Sequence, residues 1–224
     1  MELSKEILSN FSGHAPLFPL NDFVLFPKTG YTFKIFEPRY KDMINDIEGG
    51  DNLFCITKVK HEDEKGRGIL HKVGTLAYVV DKKKLDDGNY NIIAYGVEKV
   101  KINEIDSSKS YRQAHLDLLN DDFDLIDEKK IRKKLVDKFI SLLLSVNESL
   151  DEKIYDNSII STEMLINLIC FSLPISKEQQ QELLELDKVS LRSEVIYQFM
   201  NSEIKVENDL SIFNQIMPID PDWN

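Results

Sequence analysis

The sequence predicts an α+β fold in which a β-rich part precedes a bundle of helices. Before about residue 120, apolar residues recur at spacings near two; beyond it they recur at three and four. That order, strands first and helices after, fits segregated layers and not a doubly wound parallel sheet. With only 9 Gly and 7 Pro in 224 residues, long loops have little material to form from.

In the β-rich part, Tyr31, Phe33 and Ile35 alternate with Thr32 and Lys34, the period of a half-buried strand. Pro38 suits a first helical position, where its missing N–H costs nothing. Tyr40, Met43, Ile44 and Ile47 then lie on one helical face, and Gly49-Gly50 stops the helix. The polar stretch His61 to Gly68 reads as an exposed loop. Leu76, Tyr78 and Val80 alternate again. Asp86-Asp87-Gly88-Asn89 is a hairpin turn, because Asp-Gly supplies the positive φ that tight turns need. Asn91 to Tyr95 is the return strand, Val100 and Ile102 mark another after Gly96, and Tyr111 to Leu118 is the last. In the helical part, Ile131, Leu135, Phe139, Leu142 and Val146 share a face. Ile159, Ile160, Met164, Leu165 and Leu168 mark a second helix, ended by Pro174. Ser176 followed by Gln179 is a capping-box pattern opening a short helix with Leu183 and Leu184 on its apolar face. Leu191, Val195, Ile196, Phe199 and Met200 form the last helix. From about Glu207 the pattern fades into an irregular tail containing Trp223.

The formal charge is -11. Nucleic-acid affinity comes largely from Lys and Arg neutralising phosphates, so this balance disfavours RNA or DNA as a partner. The basic run Asp81-Lys82-Lys83-Lys84 reads as a solvated hairpin tip. Cys55 and Cys170 each sit in an apolar run and read as two core thiols rather than a bridge, which suits a reducing compartment. The start, Met1-Glu2-Leu3-Ser4-Lys5-Glu6, lacks the basic and then apolar regions of a secretory signal, and no apolar run reaches the ~18–20 residues of a membrane span. A cytoplasmic protein away from membranes is expected.

Pro16-Leu17-Phe18-Pro19-Leu20-Asn21-Asp22-Phe23-Val24-Leu25-Phe26-Pro27 resembles the opening of the Lon protease amino-terminal (substrate-binding) domain. Ile35-Phe36-Glu37-Pro38-Arg39-Tyr40 follows at a matching distance, then Val73-Gly74-Thr75-Leu76-Ala77, Asp87-Gly88-Asn89-Tyr90, Gly96-Val97 and Gln179 to Glu185. The resemblance covers roughly residues 14 to 205. It implies a PUA-like pseudo-barrel packed with a C-terminal helical bundle: a tail at 1–13, the β-rich subdomain at 14–119, the helical bundle at 120–206 and a tail at 207–224. It also implies capture of substrate polypeptides, in a free-standing form lacking the ATPase and protease domains. No GxxxxGK[ST] run is present to cradle a nucleotide's phosphates, so no cofactor is expected.

No catalytic or metal site is expected. His14, His61, His71 and His115 form no HxxxH or HExxH pair, and no GxSxG elbow presents a serine. The paired carboxylates Asp86-Asp87 and Asp121-Asp122 read as solvated loops. Glu37 is placed at a helix amino end, where a carboxylate favours the free N–H groups, and Arg39 is expected to pair with a carboxylate on a neighbouring element or to contact a ligand. Of the aromatic set Phe23, Phe26, Tyr31, Phe33, Phe36 and Tyr40, most are core, while one or two line an apolar groove that binds extended chains. The candidate peptide-binding residues are Phe26, Tyr31, Phe33, Phe36 and Arg39. The expected role is a non-catalytic module recognising unfolded segments or degrons, with polypeptide substrates or a protease or chaperone as partners and a place as an adaptor in protein quality control. The alternative is a PUA-like nucleic-acid or small-ligand binding module. The wide apolar helix faces also fit a homodimer.

Overall fold

The computed structural model describes residues 2–144 and 160–202, and these fold as two compact units divided between Leu119 and Asn120. The fold class is α+β, as expected, with the strands in the first unit and most of the helices in the second.

The first unit contains α1 (Glu2–Ser9), β1 (His14–Leu20), β2 (Gly30–Ile35), α2 (Pro38–Ile47), β3 (Leu53–Glu62), β4 (Gly68–Leu70), β5 (Val73–Lys84), β6 (Tyr90–Ile105) and β7 (Gln113–Leu118). The strands run β1-β7-β6-β5-β3, and a parallel pairing of β1 with β3, from Leu17↔Cys55 to Leu20↔Lys58, closes the ring. Inside lie Leu17, Leu53, Cys55, Leu76, Val97, Val100, Ala114 and Leu116. Phe18 and Phe54 point the other way and meet at 6.1 Å between ring centroids. With both faces covered, Leu53-Phe54-Cys55-Ile56 is buried without alternation.

The sixteen-residue β6 is a single strand, where the sequence suggested two. Its first half pairs with β2 and its second half with β7, while β5 runs along its other edge from Tyr90 to Lys101. Gly96 does not interrupt it; it gives the turn before β2 room to dock, with Lys28 N donating to Gly96 O at 2.6 Å and Gly96 N to Thr29 O at 2.8 Å. Register shifts in β5 at Leu76/Ala77 and Val79/Asp81 let the long ribbon bend out of the ring. The expected loop at 61–68 shrinks, because β3 extends to Glu62 and β4 begins at Gly68. Asp63 ties the remaining turn by accepting from Lys65 N and Arg67 N at 2.9 and 2.8 Å.

Residues 1–13, expected as a tail, contain α1. Ile7 is 9% exposed and joins the ring's core, with Leu8 and Phe11 packed against it. Their spacing of three and four is a helical stripe short enough to be overlooked.

The second unit contains α3 (Glu128–Leu144), α4 (Thr162–Ser172), α5 (Lys177–Glu185) and α6 (Val189–Asn201). The buried stripe of α3 is Leu135, Val136, Phe139 and Leu143, rotated slightly from the expected face; Ile131 and Leu142 are half-buried. Val146, Ile159 and the tail from Glu207 with Trp223 lie outside the described residues. Ser161 caps α4 by accepting from Met164 N at 3.1 Å. The capping box of α5 is complete, with Gln179 N donating to Ser176 Oγ at 3.2 Å and Ser176 N to Gln179 Oε1 at 2.9 Å. Ser176→Ala is expected to lower stability by about 1 kcal/mol in urea unfolding, since it leaves the Gln179 N–H without its acceptor.

The last helix corrects the sequence reading most. Leu191 is 44% exposed, and α6 instead buries Val189, Arg192, Ser193, Ile196 and Met200. Arg192 is admitted because its N–H groups are matched. Nε donates to Leu183 O at 3.0 Å, Nη1 to Asn167 Oδ1 at 3.0 Å and to Asp121 Oδ2 at 2.6 Å, and Nη2 to Asp121 Oδ1 at 3.0 Å and to Leu186 O. Asp121, expected in a solvated loop, is therefore the partner of a buried guanidinium. Its neighbour Asp124 serves α6 directly, accepting from Ser190 N at 2.9 Å and Ser190 Oγ at 2.7 Å. Those two hydrogen bonds hold the Asp124 carboxyl below the usual carboxylate range. Gln180, fully buried, closes the end of α4, its Nε2 donating to the Cys170 and Phe171 carbonyls at 3.2 and 3.0 Å.

Candidate functional site

β2 is an edge strand. Among the described strands it pairs only with the first half of β6, Gly30↔Tyr95 to Ile35↔Tyr90, so its outer edge carries no strand. Alternation decides what each face does. Phe33 and Ile35 are buried, while Thr32 and Lys34 are exposed. Tyr31, on the same side as Phe33, is half-buried because it lies at the rim. Phe23, in the loop before β2, is half-buried too, though Val24, Leu25 and Phe26 beside it are fully buried.

The rings form one continuous cluster. Phe23 meets Tyr31 at 4.6 Å and Phe33 at 5.1 Å; Phe33 meets Phe18 at 5.6 Å; Phe18 meets Tyr40 at 4.6 Å. The Arg39 guanidinium lies 4.5 Å over the Tyr40 ring. Burial raises the Tyr40 phenol above its ordinary value, with the Arg39 charge opposing it. A rigid aromatic base thus runs from the open strand edge to a surface arginine. Phe36, just past the end of β2, is 62% exposed, and Ile93 and Val80 are partly exposed on β6 and β5 of the same projecting ribbon. Backbone donors and acceptors along an open edge, with apolar side chains beside them, are what an added extended strand requires.

Of the expected binding residues, Tyr31, Phe36 and Arg39 reach the surface. Phe33 is 7% exposed and acts as support. Phe26 is fully buried and does not reach the surface. It belongs to the turn that docks on Gly96, where its carbonyl accepts from Thr29 Oγ1 at 2.7 Å. Arg39 does not reach a neighbouring element; it pairs with Glu37 two residues back, at 2.7 Å. Glu37 precedes α2 but makes no side-chain cap bond, its carboxylate being engaged by Arg39. Phe23 belongs to the aromatic set but not to the candidate peptide-binding residues; its signal is its position as the one ring of Phe23-Val24-Leu25-Phe26 next to the polar Asn21-Asp22.

The sulfur groups have no part in this surface. Burial pushes the Cys170 thiol up to about 12 and the Cys55 thiol higher still, so both stay protonated and packed. Lys82, expected at a solvated tip, is tied to α2, donating to Asn45 Oδ1 and Glu48 Oε2 at 2.8 Å each, and lies 4.3 Å over Tyr90.

Residues 14–202 match the family model described as the ATP-dependent protease La (LON) substrate-binding domain. The chain is 27% identical to the Lon protease of Flavobacterium johnsoniae over 87% of its own length, and 25% identical to that of Cytophaga hutchinsonii over 92%. It spans about a quarter of those proteins, 25% and 26% respectively. In structure it resembles a Lon N-terminal domain protein from Xanthomonas campestris, with TM-score 0.61 and 20% identity over 84% of this chain and 98% of that one. It also resembles the N-terminal domain of the Mycobacterium avium complex Lon protease, with TM-score 0.65 and 13% identity over 85% and 100%.

Proposed function

The chain belongs to the LON substrate-binding domain family, which supports a substrate-binding role, and from that premise we propose that it recognises extended polypeptide segments along the open edge of β2. The observation that carries this reading is the edge itself, an outer rim that pairs with no other described strand and lies beside the half-buried Phe23–Tyr31 ring pair and the exposed Phe36. Backbone pairing supplies affinity without sequence demands, and the rings select segments with apolar residues at alternate positions, as unfolded chains and degrons expose. Lys34, paired with Asp87 at 3.2 Å, puts a charge on the same strand and disfavours edge-to-edge pairing of two copies. The reading is of a non-catalytic module that holds substrate as an adaptor in protein quality control. Among the described residues no group of three or more His, Cys, Asp or Glu could hold a metal ion, and no helix is long and apolar enough to cross a membrane.

Fluorescence anisotropy with a labelled unfolded model protein tests the proposal. Saturable binding at micromolar concentrations is expected, and Tyr31→Ala combined with Phe36→Ala is expected to weaken it at least roughly tenfold, since exposed aromatic anchors carry much of such binding energy. Equal binding by the double variant would place the surface elsewhere, and no binding to any unfolded chain would remove the reading.

A further inference from the structure

Two cavities, of about 230 and 400 Å³, open on the first unit and share Arg67, Glu104 and Arg112. At their junction two guanidiniums hold one carboxylate. Arg112 Nε donates to Glu104 Oε1 at 2.8 Å and its Nη2 to Oε2, while Arg67 Nη2 donates to Oε1 at 2.6 Å. Arg112 is fixed from behind by Nη1 donating to Gly68 O at 2.7 Å. The smaller cavity is also walled by Arg39, Lys109, Ser107 and Ser110.

The charge balance of this wall runs against that of the chain. Four cations, Arg39, Arg67, Lys109 and Arg112, face two carboxylates, Glu104 and Asp106, a formal +2 on a chain of -11. Glu37 and Asp46, which pair with Arg39 and Lys109 at 2.7 and 2.9 Å, are not part of the wall. Arg67 spends one of its five N–H groups on Glu104, and its side chain is 60% exposed. Repulsion from the acidic remainder is screened beyond ~8 Å at physiological salt; with Glu37 and Asp46 offsetting Arg39 and Lys109, the cleft is locally near neutral on a chain of -11, and Arg67 is its most exposed cation.

We propose that this cleft is a carboxylate subsite of the polypeptide-binding surface, taking an Asp or Glu side chain or the terminal carboxylate of a bound segment. The proposal rests on the polypeptide reading above and adds a chemical preference to it. Two features argue for a carboxylate. The arginine pair already shows the fork geometry that matches one, in its grip on Glu104. Arg39, which walls the cleft, stacks on Tyr40, and Tyr40 is the last ring of the cluster that begins at Tyr31, so the cleft and the strand edge share one rigid base. Hydrogen bonds from Arg112, and then from Arg67, hold the Glu104 carboxyl below the usual range, which keeps it ionised; Arg67, with its side chain 60% exposed, is the outer member of the trio.

The test uses the full chain and four labelled peptides with the same apolar core, carrying Glu or Gln and ending in a free carboxylate or an amide. At least one carboxylate-bearing form is expected to bind roughly tenfold tighter than the Gln amide, as a charge-assisted hydrogen bond supplies, and whichever carboxylate confers the gain identifies the source. Arg67→Gln with Lys109→Gln is expected to abolish the preference while leaving the Gln amide's affinity unchanged; Lys109→Gln alone, which removes an exposed cation, serves if the double variant loses its fold. Equal binding of all four peptides, or a preference that survives the substitutions, overturns the subsite alone. No binding by any of the four overturns the polypeptide reading and the subsite with it.

Discussion

Arg192→Ala is expected to destabilise the helical unit by about 3–5 kcal/mol, the range for removing one partner of a buried ion pair. The guanidinium, 1% exposed, reaches Asp121, Asn167 and the carbonyls of Leu183 and Leu186 together. Its removal leaves the Asp121 carboxylate, 12% exposed, without its bidentate partner, and empties the volume of a large side chain in the core. The carbonyls lie at the end of α5 and just beyond it, so the joint between α5 and α6 loosens as well. Urea unfolding followed by far-ultraviolet circular dichroism reads the loss. Arg192→Met combined with Asp121→Leu is expected to recover most of it, because an apolar pair of similar volume needs no desolvated charge. A loss under 1 kcal/mol for Arg192→Ala would show that the network contributes little.

Gly96→Ala is expected to cost the β-rich unit about 3 kcal/mol or more, at the upper end for overpacking, because the obstacle is backbone. A β-carbon there would lie inside 3.0 Å of the Phe26 carbonyl oxygen. That carbonyl cannot retreat easily; it accepts from Thr29 Oγ1 and Thr29 N, while Lys28 and Thr29 hydrogen-bond to both backbone groups of Gly96. Lys28 already adopts a positive φ of 63° to make this turn. The turn leads into β2, so the substitution is expected to disturb the candidate edge as well as lower the thermal midpoint. Gly88→Ala provides the contrast. A β-carbon at Gly88 meets nothing within 4 Å, and its φ of 76° leaves only a conformational cost of about 1 kcal/mol. Equal shifts in thermal unfolding for the two variants would contradict the steric account.

The parts of the fold that the sequence made legible were those with a local cause. The alternation at Tyr31–Ile35, the Pro38 helix start, the Asp87-Gly88 turn and the Ser176 capping box each depend on neighbours within a few positions. What escaped it depends on distant partners. Nothing near Arg192 reveals that Asp121 lies beside it, so the sequence reading gives Leu191 to the apolar face of α6 and passes over Arg192. Gly96 looked like an interruption because the turn it accommodates, Phe26 to Thr29, lies far back in the sequence, before β2. The site was legible in kind and not in membership. Alternation distinguished the two faces of β2, but whether a ring is rim or core is set by what covers it, which separated Tyr31 and Phe36 from Phe26. The cleft around Glu104 left no sequence signal, since Arg39, Arg67 and the Lys109–Arg112 pair come from three separate segments.

Hydrogen–deuterium exchange of the full chain, with and without a saturating apolar peptide, tests the central claim most directly. The account predicts slowed exchange in the segment from Tyr31 to Phe36, whose outer amides gain acceptors when a strand is added, with the amides of α4 and α5 unchanged. Unchanged exchange in that segment while the peptide is demonstrably bound would contradict it.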